Sequence, residues 1–213
     1  MTNVWSKIAF VFIGLLILCC DGEAQAGQLQ SPYAILGSQT AVPYGWVDFC
    51  SRRPDECSVP RLPPVDVKVT ADVWEVLVRI NRQVNASIEP ISNFDHWGTL
   101  LDHWDYPVDG KGDCKIYALY KRKLLLERGF PRQALLMTIV LDLNGEGHTI
   151  LTVKTDRGDF ILDNLSDEVR PWSAPGYRFV KRQSQEDPNV WVSIVDQSRP
   201  QGLGSFLRRI AGG

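Results

Sequence analysis

The sequence predicts an α+β domain. A single strongly helical run near the middle is followed by three strand-like runs separated by glycine turns. Two further strand-like runs come after them, with no return to a helical period. Helix first and antiparallel meander afterwards is the α+β order, distinct from the regular alternation that builds a parallel sheet. With 44% of its 213 residues apolar, the chain has material for one sizeable core and is short for two.

The first 26 residues read as a leader. Lys7 supplies the positive start, Ile8 to Cys20 is an apolar run too short to span a bilayer comfortably, and Ala24-Gln25-Ala26 offers a small-residue cleavage site. The expectation is a periplasmic or secreted protein, touching a membrane only if the leader stays uncut. Its removal takes away Lys7, Asp21 and Glu23, leaving 22 basic and 23 acidic residues. With no basic patch, nucleic acid is excluded as a partner. Nothing in the sequence specifies an oligomer.

Residues 27–70 are rich in Pro, Gly and Ser and lack sustained periodicity, which predicts an extended arm. Within it Cys50 and Cys57 stand seven apart in CSRRPDEC, close enough to form a small disulfide ring in an oxidising compartment. A domain over 71–196 follows, then a tail over 197–213 whose Leu207-Arg208-Arg209 cluster reads as a solvated end. Thr70 or Asp72 can cap a first helix with Trp74, Leu77, Val78, Asn81 and Val84 on one face, stopped at Pro90. The polar, aromatic stretch 93–113 reads as a functional loop.

Asp113 is the expected N-cap of a helix from Cys114 to Arg128, ended by Gly129 and Pro131. Lys121, Arg122 and Lys123 read as its wet face. Strands are expected at Ala134 to Asp142, Thr149 to Thr155 and Phe160 to Leu165, then at Tyr177 to Arg182 and Val190 to Val195.

Cys114 is the odd thiol of the mature chain, and its seat in a first helical turn faces it with unpaired N–H groups and the positive end of the helix dipole. Both favour thiolate. A cysteine nucleophile also needs an imidazole and a group to orient it. His148 opens the middle strand after a glycine-rich turn, and Asp163, flanked by Ile161, Leu162 and Leu165, is costly to bury unless paired. A three-residue turn at 156–158 would set the two on opposite faces, so the pairing predicts a bulge at Gly158 or an irregular turn.

GDCKIYALYKRKLLLERGFP, GEGHTILTVKTDRGDFILDN and Pro171-Trp172 resemble the bacterial transglutaminase-like cysteine proteinases, a family of exported proteins, over about Ala41 to Val195. The resemblance implies a papain-like or transglutaminase-like core with the nucleophile helix packed on an antiparallel sheet. It implies Cys114 as nucleophile, His148 as general base and acid, Asp163 as its orienter, and a protein or peptide of the cell envelope as substrate. Transfer to an amine, or an idle binding role, are the alternatives.

Trp104, Asp113 and Trp172 are the candidate cleft residues. In one branch of the family the acids flanking the nucleophile contribute to a calcium site. Here Lys115 and Ile116 stand where an acidic pair would be, and a lysine repels a cation. Asp105, Asp109, Gly110 and Asp113 hint at a calcium loop, but Pro107 and Ile116 fall where oxygen ligands belong. No cofactor is therefore expected, calcium remaining the one candidate ion. The repeated Asp-His-Trp at 95–97 and 102–104 places His96 and His103 seven apart, wider than zinc sites favour, and no metal ligand is expected there.

Overall fold

Seven antiparallel strands form the central sheet of a computed structural model that describes residues 31–195. In chain order the elements are β1 (Leu36–Thr40), α1 (Tyr44–Arg52), α2 (Pro54–Cys57), α3 (Ala71–Ser87), β2 (Glu89–Pro90), α4 (Asn93–Trp97), β3 (Lys111–Gly112) and α5 (Cys114–Leu126). After a short 3-10 turn come β4 (Leu135–Leu141), β5 (Gly147–Thr155), β6 (Gly158–Asp163), β7 (Ser166–Pro171), β8 (Arg178–Gln183) and β9 (Trp191–Ile194). The large sheet runs β1-β9-β8-β4-β5-β6-β7, and β2 with β3 makes a small parallel pair beside it. The α+β expectation holds. No described helix is long and apolar enough to cross a membrane.

The two central strands, LLMTIVL and GHTILTVKT, are rich in β-branched residues because both of their faces are covered. Alternate residues divide between two cores. Leu135, Met137, Leu151, Val153 and Leu162 join Leu77, Ile80, Leu119 and Leu125 of α3 and α5. Val140, Ile150 and Ile161 turn the other way, to Trp172, Phe179 and Ile194. Thr70 caps α3 as expected, its side chain accepting the Val73 N–H.

Residues 31–70, the described part of the expected arm, carry more regular structure than their composition suggested. β1 is hydrogen-bonded to β9, and α1 and α2 are joined by the Cys50–Cys57 disulfide at a Cα separation of 5.5 Å. Trp46 of α1 packs edge-on against Trp104, which meets Trp191 in the same way. Gly45 permits this, since a Cβ there would lie 2.2 Å from the Trp104 ring. β7, with the polar sequence SDEVRP, was not expected as a strand; it lies at the sheet edge, where alternating apolar residues are not required.

The wet-face reading of α5 fails for two residues. Lys121 and Arg122 are 0% and 1% exposed, because α5 lies between the sheet, α3 and the α1–α2 segment. The Arg122 guanidinium sits over the Trp46 ring and faces Glu56, an arrangement its flat, weakly hydrated head suits. Lys123 alone of the three reaches water. The leader and the tail lie outside the described residues.

Candidate functional site

Asp113 stands at the N-cap of α5 but does not cap with its side chain. Its carbonyl oxygen accepts the Ile116 and Tyr117 N–H groups, at 3.0 and 3.2 Å, while its carboxylate is paired with the Lys115 ammonium. The Cys114 N–H is therefore not taken up by an Asp113 carboxylate. Cys114 is a free, half-buried thiol at the first position of the helix.

The turn joining β5 and β6 decides where His148 points. Thr155 pairs with Gly158, so the connection is the two-residue Asp156-Arg157, and the ladder from there to Leu151–Leu162 is regular. No bulge interrupts it, contrary to the expectation. Gly158 instead joins the strand, at a φ of +133° that other residues rarely adopt, against the Pro32 carbonyl. Gaining one ladder pair changes the parity of all that follows, and His148 and Asp163 then share a face.

The His148 Nε2 lies 2.8 Å from Asp163 Oδ1, with both residues buried. Asp163 also accepts the Leu165 N–H at 3.0 Å and the Tyr177 hydroxyl at 2.7 Å. Tyr177 packs edge-on against the imidazole, and burial together with its bond to Asp163 holds the phenol above its usual range. Burial alone would pull His148 down. Hydrogen bonding to Asp163, with the nearby Cys114 and the Asp163 charge, outweighs it and pushes His148 up to about 9. Burial would raise Asp163, but the imidazole and the other donors hold it below the usual carboxylate range. With Nε2 engaged by Asp163, Nδ1 is the ring nitrogen left for the thiol.

Sequence reasoning missed the supports behind this group. Asn81 and Asn85, one turn apart on α3, donate to the Ser166 carbonyl, and Asn85 also donates to the Asp163 carbonyl at 3.0 Å. They tie the β6–β7 turn to the helix. A polar amide within the apolar stripe of α3, as at Asn81, was the available signal. Tyr177 announced itself only as a strand residue.

Cys114 and His148 open onto a cleft of about 370 Å³, bounded also by Asp113, Tyr117, Ile91 and Leu165. Asp113 is thus at the cleft, but the two tryptophans are not. Trp104 is 0% exposed, its Nε1 donating to Asp102 at 2.8 Å. Trp172 packs on Phe179 in the second core and donates to the Ser31 carbonyl. Each fills core volume, where its large apolar area counts most.

The donor set around Asp113 does not fit a calcium ion. The Lys115 ammonium occupies the space between Asp113 and Asp102, 2.8 Å from the latter, and places a positive charge where oxygens would have to converge on a cation. No group of three or more His, Cys, Asp or Glu suited to a metal occurs among the described residues. His96 and His103 instead each pack in a tilted arrangement on the Trp97 ring, at centroid distances of 4.0 and 4.3 Å, with His96 bonded to Asp109.

Three solved structures of Legionella pneumophila LapG resemble the chain. The calcium-bound form is 25% identical, with 65% of this chain and 80% of that one covered and a TM-score of 0.48. Another LapG structure gives 25% identity, 65% and 78% coverage and a TM-score of 0.49. The EGTA-treated form gives 24%, 65% and 79%, and 0.47. Comparison with curated proteins yields no significant match. Over residues 36–199, a span that includes Cys114, His148 and Asp163, the chain matches the bacterial transglutaminase-like cysteine proteinases, and it belongs to that family.

Proposed function

We propose that the chain is an exported cysteine peptidase that hydrolyses peptide bonds of an envelope or surface protein through Cys114, His148 and Asp163. Family membership makes it a cysteine peptidase. The finer reading is carried by one observation: a buried imidazole bonded through Nε2 to a carboxylate and lining the same cleft as a thiol at a helix start. The apolar run before Gly27 supports export.

In the proposed reaction His148 Nδ1 takes the Cys114 proton, and the sulfur attacks the scissile carbonyl carbon. The carbonyl π electrons move to oxygen, and that oxyanion is stabilised by the Cys114 N–H at the positive end of α5. The imidazolium returns its proton to the leaving amine as the C–N bond breaks, giving a thioester. Water, losing a proton to the imidazole, then attacks the thioester and releases acid and thiol. Asp163 keeps Nε2–H oriented and stays ionised throughout.

The test compares exported proteins of a strain carrying Cys114→Ser with its parent. Fragments present in the parent and lost in the variant are expected. An unchanged fragment pattern, or equal labelling of Cys114 by a thiol probe in His148→Ala, would sink the reading. Added amine that appears covalently in product would mark transfer in place of hydrolysis.

A further inference from the structure

Lys115 follows the nucleophile directly, and its side chain is 5% exposed. Its ammonium contacts Asp113 Oδ2 and lies 2.8 Å from Asp102 Oδ1. The other Asp102 oxygen accepts the Trp104 Nε1–H, and Trp104 is wedged between Trp46 and Trp191. A chain of contacts thus runs from the core through the loop at Asp102 to the start of α5. Burial would lower Lys115, but the two carboxylates outweigh it and hold it above its ordinary value; burial also raises Asp113, against the pull of the ammonium.

We infer that Lys115 is a positioning residue: a tethered cation that neutralises the carboxylates beside Cys114 and keeps Asp113 off the helix-start N–H groups, so the site needs no divalent ion. This rests on Cys114 being the nucleophile. Aspartate is among the best N-caps, and an unrestrained Asp113 would fold its carboxylate onto the first N–H groups of α5. That would set a negative charge at the positive end of α5, against both a forming thiolate and an oxyanion held by the Cys114 N–H. Lys115, reaching back to Asp113 from within the same first turn, prevents that. Without the ammonium, Asp102 and Asp113 form a carboxylate pair that a divalent cation could bridge.

The experiment measures the rate of Cys114 alkylation by iodoacetamide against pH, in EDTA and in millimolar calcium. It uses the mature protein, Lys115→Met, and the charge-free pair Asp113→Asn with Lys115→Met, with thermal unfolding in parallel. The parent should react at the same rate, and melt at the same temperature, in EDTA and in calcium. Lys115→Met should slow in EDTA on the order of tenfold, as a shift of about one pKa unit in thiolate formation implies, and recover in calcium. The double variant should recover without calcium.

A Lys115→Met protein that reacts like the parent at every pH overturns the inference. So does a parent whose rate or melting temperature collapses in EDTA. If Lys115→Met does not fold, the double variant decides: normal reactivity supports the inference, and a tenfold loss that persists in calcium overturns it. His148→Ala separates the two readings, since alkylation that ignores His148 removes the triad itself, whereas dependence on His148 without dependence on Lys115 removes only this inference.

Discussion

Replacing Lys121 with methionine should make the protein more stable, by an amount that shrinks as pH rises. Lys121 sits on α5 seven residues after Cys114, 0% exposed, and its Nζ has no hydrogen-bond partner among the described residues. Burial drives its pKa down from 10.5 to about 7, with the charges of Asp163 and Asp167 pulling the other way. In the unfolded chain the amine keeps its proton up to pH 10.5, while the folded chain releases it near 7. Between those values the unfolded state binds more protons, so stability attributable to Lys121 rises with pH.

Below pH 7 the folded state carries the whole cost of the buried ammonium, at most about 5 kcal/mol for a shift of this size. Methionine fills a similar volume without the charge. Urea unfolding at pH 6, 7.5 and 9 reads the difference. A gain of several kcal/mol is expected at pH 6, falling to about 2 kcal/mol at pH 9. A variant less stable than the parent at every pH, or a gain indifferent to pH, would refute the reasoning. Because Asp163 loses a neighbouring positive charge, the same substitution should move the acid limb of Cys114 alkylation to higher pH.

Three further outcomes follow from the geometry. Tyr177→Phe removes one of the three donors holding Asp163; alkylation of Cys114 should fall roughly tenfold, the equivalent of about 1.4 kcal/mol for a bond to a charged group, with little change in overall fold by circular dichroism. His148 has its pKa raised from 6.5 to about 9, so its contact with Asp163 contributes fully below pH 6.5 and fades as pH rises through 9. The stability gap between the parent and His148→Gln should accordingly be wider at pH 6 than at pH 10 in thermal unfolding. Opening the ring with Cys50→Ser and Cys57→Ser should cost ~2–3 kcal/mol, the entropy of a loop this short, read from denaturant midpoints.

The nucleophile helix and the catalytic order were legible because their signals are local. A Gly-Asp-Cys start, a helical run and a glycine stop need no knowledge of the rest of the chain, and α5 begins at Cys114 as expected. The pairing of His148 with Asp163 was legible only as a condition, since parity hangs on whether Gly158 belongs to the turn or to the strand. Residues whose role depends on distant covering layers were misjudged. Lys121 and Arg122 look like solvated charges until α1 and α3 close over them, and Trp104 looks like a cleft wall until Trp46 and Trp191 flank it. Composition hid β1 and β7 for a related reason: an edge strand borrows its order from its neighbour.

Leu36 of β1 is paired with Ile194 of β9, at the rim of the sheet farthest from β6 and β7. The described chain starts elsewhere, with the Ser31 carbonyl held by Trp172 and the Pro32 carbonyl by the Asp159 N–H, and it comes alongside its own last described residue only at Ile35, whose carbonyl accepts the Val195 N–H. Residues 31–35 thus strap the second core to the β1–β9 edge, and deleting them would free Trp172, Asp159 and the end of β9 together.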